Sequence, residues 1–386
     1  MKEYLSKKAM GLKPSGIRKF FDVANQIPGV ISLGVGEPDF DTPWHIREEA
    51  IHTFQAGKTF YTANAGLSGL REAICGYTQR KTGVSYASDE ILITVGGSEA
   101  IDLAMRAILN PGDEVICVEP CFVSYAPCIT LADGIPVTLS LKEENRFRLT
   151  PEELESVITP KTKAVIISFP NNPTGAIMEK EDLEKLVPII LKHDLLVISD
   201  EIYAELTYGR QHVSISSLPG MRDRTIVING FSKSYAMTGW RLGYAMGNRD
   251  IIKLMTKIHQ FAIMCAPTVS QYAAIEAITN GDKDVVDMRE SYNQRRNYLY
   301  HELERLGIPC FEPQGAFYMF PNIRSFGMTS EEFATALLNE EKLAVVPGDA
   351  FGASGEGHIR ISYAYSIKEL KEAIRRLSHF VERHNF

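Results

Sequence analysis

The feature that most constrains this 386-residue chain is a series of short β-rich runs separated by helix-length segments through its middle. Glu90–Thr94, Glu114–Val118, Pro136–Leu139, Lys163–Ser168, Leu195–Ser199 and Thr225–Asn229 are the candidate strands. They show little alternation of polar and apolar residues, as expected of strands buried on both faces. Between them, Ser98–Leu109 starts polar, carries Ile101, Ala104, Met105 and Ile108 at helical spacing, and stops at Asn110-Pro111-Gly112. Glu179–Lys192 follows the same logic. Strand–helix alternation predicts an α/β fold with a mostly parallel central sheet between helices. After about residue 280 the pattern changes. A helical stretch, Asp284–Leu306, precedes short strands near Ala316–Phe320, Ala344–Val346 and His358–Ser362, and a last helix runs to the end. This predicts a smaller α+β domain over 281–386, a large domain over 46–280, and an arm over 1–45 that joins the smaller one.

In open parallel sheets, functional residues gather beyond the C-terminal ends of the strands. After the first run comes Gly96-Gly97-Ser98-Glu99, whose glycines let backbone approach a ligand and whose serine could cap the next helix, where an anion is favoured. Alone, a merely capped helix explains it equally well. After Ser168, Phe169-Pro170-Asn171-Asn172-Pro173-Thr174-Gly175 could hold an amide towards a ligand, or simply be a well-formed loop. Asp200 ends an apolar strand, where burial is costly without a partner, and Tyr203 follows; helix capping is the alternative for Asp200. Lys233 sits among small and aromatic residues at the end of Thr225–Asn229, where its amine could be desolvated and nucleophilic. Arg241, eight residues on, offers a planar fork suited to phosphate. An anion site, a carboxylate for a protonated ring nitrogen, amide and phenol donors and a Schiff-base lysine together describe a site for pyridoxal 5'-phosphate.

Other function classes fit poorly. The net charge of −7 argues against a nucleic-acid partner. The N-terminus lacks the apolar segment of a secretory signal, and no apolar run approaches membrane-spanning length, so a cytoplasmic location is expected. The six cysteines include no C-x-x-C pair, and Cys117, Cys121 and Cys128 have no histidine at ligand spacing, so packing is expected and no metal.

The run Ser232-Lys233-Ser234-Tyr235-Ala236-Met237-Thr238-Gly239-Trp240-Arg241-Leu242-Gly243 closely resembles the cofactor-lysine signature of class I/II aminotransferases of fold type I. Asn171–Gly175, Ser199-Asp200-Glu201-Ile202-Tyr203, Gly34-Val35-Gly36-Glu37-Pro38-Asp39-Phe40 and His358-Ile359-Arg360-Ile361-Ser362-Tyr363 resemble the family's other motifs, in the same order. The likeness runs from about residue 10 to the C-terminus and is closest to the bacterial and archaeal aspartate, aromatic and alanine aminotransferases. It implies that Lys233 carries the cofactor, that Asp200 pairs with its ring nitrogen, and that Tyr203 and Asn172 bond its phenolic oxygen. It also implies that Phe122 stacks on the ring, and that Gly97, Ser98, Glu99, Ser232 and Arg241 hold the phosphate. Tyr61 would reach the neighbouring subunit's phosphate, which implies a homodimer. Arg360, with Asn172 and the backbone of Gly36, would clamp the substrate α-carboxylate. Ile17, Phe20 and Phe122 could line an apolar side-chain pocket, and plain packing explains them equally well.

The implied activity is ping-pong transfer of an amino group from an aromatic, alanine or broad-range L-amino acid to a 2-oxo acid such as 2-oxoglutarate. Two positions depart from the family pattern. Gly230 stands where many relatives have a hydroxyl residue. Ser98 stands where bacterial aspartate-specific relatives often have a lysine, which puts aspartate in doubt as donor. The rivals are a carbon–sulfur β-lyase on the same fold, a non-catalytic regulator that binds the same cofactor, and a dinucleotide oxidoreductase. The last lacks a G-x-G-x-x-G after a strand.

Overall fold

The structure, a computed structural model, describes residues 4–12 and 27–384. Its strands are β1 (Ile31–Ser32), β2 (Ile91–Thr94), β3 (Glu114–Glu119), β4 (Ile135–Ser140), β5 (Thr162–Ser168), β6 (Leu196–Asp200), β7 (Thr225–Gly230), β8 (Gly243–Met246), β9 (Tyr318–Met319), β10 (Leu343–Ala344), β11 (Val346–Pro347) and β12 (Ile359–Ser362). β2 to β8 form one seven-stranded sheet in the order β2-β8-β7-β6-β5-β3-β4. Only β8 runs antiparallel, to β2 and to β7; every other pairing with neighbours is parallel. The mostly parallel α/β sheet is therefore as expected, and the six expected strands lie within one residue of their predicted limits.

Two expectations need correction. β4 is not buried on both faces: it is the sheet's outer strand, and most of it is exposed or half-buried. β8 was not foreseen, because Gly-Tyr-Ala-Met has no β-branched residue and reads as loop. Its place depends on lacking side chains. Gly243 lies opposite Gly230, and a Cβ on Gly243 would fall 2.6 Å from the Gly96 carbonyl carbon. Gly243→Ala would push β8 and the Gly96–Ile108 helix apart.

The buried strands bury alternate residues on opposite faces, as pleating requires. Ile166, Ile198, Ile226 and Ile228 pack with Ile101, Met105 and Ile252, which come from helices Gly96–Ile108 and Arg249–Ala262. Val165, Ile167 and Val197 pack on the other face with Leu183, Leu186 and Ile190 of helix Lys180–Lys192. Each such side chain contributes about 1.5–3 kcal/mol on burial. Helices Trp44–Gln55, Ser68–Thr82 and Thr268–Asn280 cover the β2–β8 side.

A further core joins Asp282–Arg305, Ser330–Glu341 and Ile367–His384 to β9 and β12. Leu33 belongs to that core, and β1 pairs in parallel with β10. The segment around Gly34 is thus hung on the C-terminal part while it reaches over the ends of β6 and β7. Among the described residues no helix is long and apolar enough to cross a membrane.

Candidate active site

A cavity of about 350 Å³ opens where β5, β6 and β7 end. Gly36, Gly97, Ser98, Phe122, Asn172, Asp200, Tyr203, Ser232, Lys233, Arg241 and Arg360 all line it. Four expected residues do not. Ile17 and Phe20 lie outside the described residues. Tyr61 stands on the surface, 81 % exposed. The Glu99 side chain turns away, where its carboxylate accepts from the Val95 N–H and meets Nδ1 of the fully buried His259 at 2.7 Å.

The end nearest the sheet suits an anion. Helix Gly96–Ile108 begins two residues earlier than Ser98, with Val95 as its cap residue, so Ser98 is in the first turn and does not cap it. The first-turn N–H groups have no partner within the helix and face outward from its positive end. Gly96 has φ +76°, and a Cβ there would lie 2.7 Å from Arg241 Nη2, so only glycine lets the guanidinium rest on the turn. Arg241 Nη1 donates to the Thr238 carbonyl at 3.0 Å, which fixes its fork. Ser232 is buried beside it.

Asp200 ends β6, and no helix follows it for the side chain to cap. Its Oδ1 accepts from the Ile202 N–H at 3.2 Å and its Oδ2 from the Tyr125 hydroxyl at 2.7 Å. Burial nevertheless pushes its pKa up, because these donors do not fully compensate for lost water. Such a carboxylate is short of a cation. Lys233 follows β7 in a run of turns, with its Nζ donating to the Gly36 carbonyl at 2.6 Å. Burial lowers its pKa to about 8, so a sizeable neutral fraction exists near pH 7–8.

The two asparagines after β5 divide the work. Asn171 accepts from Thr174 N and Oγ1 at 3.1 and 2.8 Å and so holds the loop. Asn172 Oδ1 instead accepts from Arg360 Nη1 at 2.8 Å. Arg360, 3 % exposed on β12, also donates to the Gly34 carbonyl. Its charge lies between the faces of Tyr318 and Phe351, at 4.4 and 4.7 Å, and its Nε is buried with no partner. A buried guanidinium with an unused donor is built to receive a carboxylate.

Sequence reasoning gave no role to Tyr125, Tyr318 or His259. Their signal is tertiary: Tyr125 reaches Asp200 across the sheet end, and Tyr318 Oη lies 2.7 Å from Tyr203 Oη. Nothing local to either residue marks it.

A second cavity, about 210 Å³, lies on the face of β7 that carries Val227 and Asn229, with Lys81, Glu201, Glu205 and His212 in its wall. Glu201 Oε1 accepts from Ser199 and Ser214 at 2.9 and 2.6 Å, and Oε2 lies 3.0 Å from His212 Nε2. Burial opposes its charge, but these partners outweigh burial and hold its pKa down. Among the described residues no three histidine, cysteine or acidic side chains gather as a metal site would require.

The first cavity therefore offers an anion cradle, a buried carboxylate wanting a cation, an amine of low pKa and an unused guanidinium donor. A flat ring bearing a phosphate, a basic nitrogen and a carbonyl would satisfy all but the last. The last suits a carboxylated substrate. The residues present fit pyridoxal phosphate.

The family described as aminotransferase class I and II matches residues 28–377. The chain is 52 % identical over 99 % of its length to a putative aminotransferase, YugH, of Bacillus subtilis, all of which is covered. It is 46 % identical to an aspartate aminotransferase of Pyrococcus abyssi, over 95 % of each chain. The solved structure of an aromatic aminotransferase from Pyrococcus horikoshii superposes with a TM-score of 0.91 at 44 % identity, over 94 % of this chain and 99 % of that one. The cavity's chemistry and these likenesses agree: the chain belongs to the class I and II aminotransferases, enzymes that depend on pyridoxal phosphate.

Proposed function

We propose that the first cavity moves the amino group of an aromatic, alanine or broad-range L-amino acid to a 2-oxo acid such as 2-oxoglutarate, in a ping-pong sequence. The observation that carries this reading is the buried amine of Lys233 lining one cavity with the buried carboxylate of Asp200 and the guanidinium of Arg360, whose Nε has no partner. When bound, pyridoxal phosphate supplies an electron-accepting ring that stabilises negative charge at the substrate Cα.

Lys233 would hold the cofactor, and its neutral Nζ would serve as the base that takes and returns the substrate Cα proton. Asp200, held by Tyr125, keeps the ring nitrogen protonated. Tyr203 and the amide nitrogen of Asn172 would bond the ring's phenolic oxygen, and Phe122 would pack on its face. The backbone of Gly97 and Ser98, with Ser232 and Arg241, would hold the phosphate. Arg360, Asn172 and the backbone of Gly36 orient the α-carboxylate. Ping-pong order follows because both amino and oxo acids need the one Arg360 clamp.

A neutral donor is favoured by the wall. Its only cations among the described residues are Lys233, Arg241 and Arg360, each already given a role, while Ile101 and Phe122 are apolar. Among the described residues no further cation lines the cavity to face a distal carboxylate. The exposed Phe54, Phe60, Tyr61 and Phe261 support a homodimer in which Tyr61 reaches the partner's phosphate site. A cytoplasmic location goes with this reading.

The test is a half-reaction screen. Each amino acid is added alone to the holoenzyme, with no acceptor, and loss of the cofactor's visible band is timed. Tyrosine, phenylalanine and alanine should bleach it faster than aspartate. A band that only aspartate bleaches would overturn the donor class. Pyruvate released from cystathionine without an acceptor would point to the β-lyase.

A further inference from the structure

We infer that His259 keeps the anion cradle open to a phosphate by drawing aside the protein's own nearest anion, the carboxylate of Glu99. This rests on the phosphate site proposed above. Glu99 lies in the first turn of helix Gly96–Ile108. The positive end of a helix favours an acidic side chain in that turn, and it equally favours an anion from outside. The two are rivals. A carboxylate folded over the free N–H groups of Gly97 and Ser98 would occupy them and repel a phosphate beside Arg241.

The fold settles the rivalry by pulling Glu99 sideways. Its side chain does not line the cavity. One oxygen accepts from the Val95 N–H, and the other lies 2.7 Å from His259 Nδ1. A carboxylate only accepts, so Nδ1 carries the ring proton in this contact. His259 comes from a different helix, Arg249–Ala262, whose Ile252 and Met255 pack with Ile101 and Met105 of the Glu99 helix. The ring is fully buried and cannot follow Glu99 towards the cavity.

Two further observations give the histidine this task. Its Nε2 is buried with no partner, which costs stability. A leucine would fill the same core without that cost, so the Nδ1 contact is what distinguishes the residue. The cradle's backbone also has supports of its own. Thr94 Oγ1 donates to the Gly96 carbonyl at 2.9 Å, and β8 lies so close that a Cβ on Gly243 would fall 2.7 Å from Gly97 N. Loss of the ring therefore frees the carboxylate while the turn stands. His259 is a positioning residue, and it acts on the phosphate only through Glu99.

The experiment compares the binding of pyridoxal phosphate and of pyridoxal, which lacks the phosphate, to the full-length protein stripped of cofactor. The ratio of the two affinities reads the cradle and cancels changes elsewhere in the site. His259→Leu should lower that ratio about tenfold, because the freed carboxylate competes for the same donors. Adding Glu99→Gln to His259→Leu should restore most of it, since an amide brings no charge to the cradle. A merely structural histidine would give the opposite, a double variant no better than the single one. His259→Asn, whose amide nitrogen stands where Nδ1 stood, should stay near the native ratio, and His259→Gln, which moves the donor away, should not. An unchanged ratio in His259→Leu, or no restoration in the double variant, would overturn the inference. Should His259→Leu fail to fold, equal ratios in His259→Asn and His259→Gln would overturn it. The phosphate site itself is tested separately: an unchanged ratio in Arg241→Gln, or no preference for the phosphate in the native protein, would overturn that reading instead.

Discussion

Asp200 and Glu201 are consecutive buried carboxylates at the end of one strand, and their surroundings drive them in opposite directions. Glu201 faces the second cavity, where two serine hydroxyls and His212 hold its pKa down. Asp200 faces the first cavity with one phenol and one backbone N–H, and burial wins, so its pKa rises. Burial is common to both. What separates them is the number of partners the protein supplies. A carboxylate fully partnered from within serves the fold; one left short is prepared for something from outside.

The comparison can be broken most sharply through its ligand-facing side. Lys233→Ala should lower steady-state transamination by more than about 10³-fold, since both proton-transfer steps depend on that amine. A coupled oxo-acid assay with residual turnover near the native rate would remove Lys233 from the chemistry. Asp200→Asn should cost about 10²-fold in kcat/KM, the scale of losing one preorganised electrostatic contact. Its melting temperature should hold steady or rise, because a poorly partnered buried charge has gone.

Glu201→Gln should do the reverse. It breaks a buried, partnered charge and should cost about 3 kcal/mol in urea unfolding, while kcat/KM stays near the native value. The pH dependence has a definite sign. Glu201 has a depressed folded-state pKa, so its contribution is present above the unfolded value near 4.5 and is lost as pH falls through the folded value. Asp200, with a raised folded-state pKa, costs stability while charged, and that cost is relieved as pH falls. Unfolding midpoints measured down to pH 4 should therefore fall less steeply in Glu201→Gln.

The smallest effect belongs to a half-buried triad of the same chemistry, His45 with Glu276 and Asp284. Burial opposes charge on His45, but Glu276 at 2.7 Å and Asp284 at 3.1 Å outweigh it and raise its pKa. That stabilisation is complete below the usual histidine value near 6.5 and vanishes as pH rises through the folded one. His45→Gln should cost about 0.5 kcal/mol at pH 6 and nothing at pH 9, as solvent-screened pairs do. A larger loss would show that exposure matters less than partner number.

Much of this was legible in the linear chain, for local reasons. Ile166, Val197 and Ile226 lie in runs dense enough in β-branched residues to declare their strands. Lys233, Asp200 and Asn172 stand at strand ends, where sequence order and sheet geometry coincide. β8 stayed hidden because its four residues form a strand only through the glycine contacts with β7 and Gly96. β4 was misjudged because a run of apolar residues does not reveal which strand ends the sheet. Ser98 looked like a cap because the turn into the helix is made by Gly96 at positive φ, a conformation that no residue pattern announces. Tyr318 was invisible for the plainest reason: its partner hydroxyl is 115 positions away.

The strap from Leu33 to Gly36 links the C-terminal core to the lysine. Leu33 exchanges backbone bonds with Ala344 and Ser362, Gly34 takes one from Arg360, and Gly36 takes one from Lys233. A lysine that commits its nitrogen to a carbonyl ligand has fewer N–H groups to give Gly36. The strap's outer end would then loosen while its Leu33 end stayed anchored. Deuterium uptake at Val35, Gly36 and Glu37 would thus report the state of the lysine from the backbone alone, in a spectrometer that never sees the cofactor's colour.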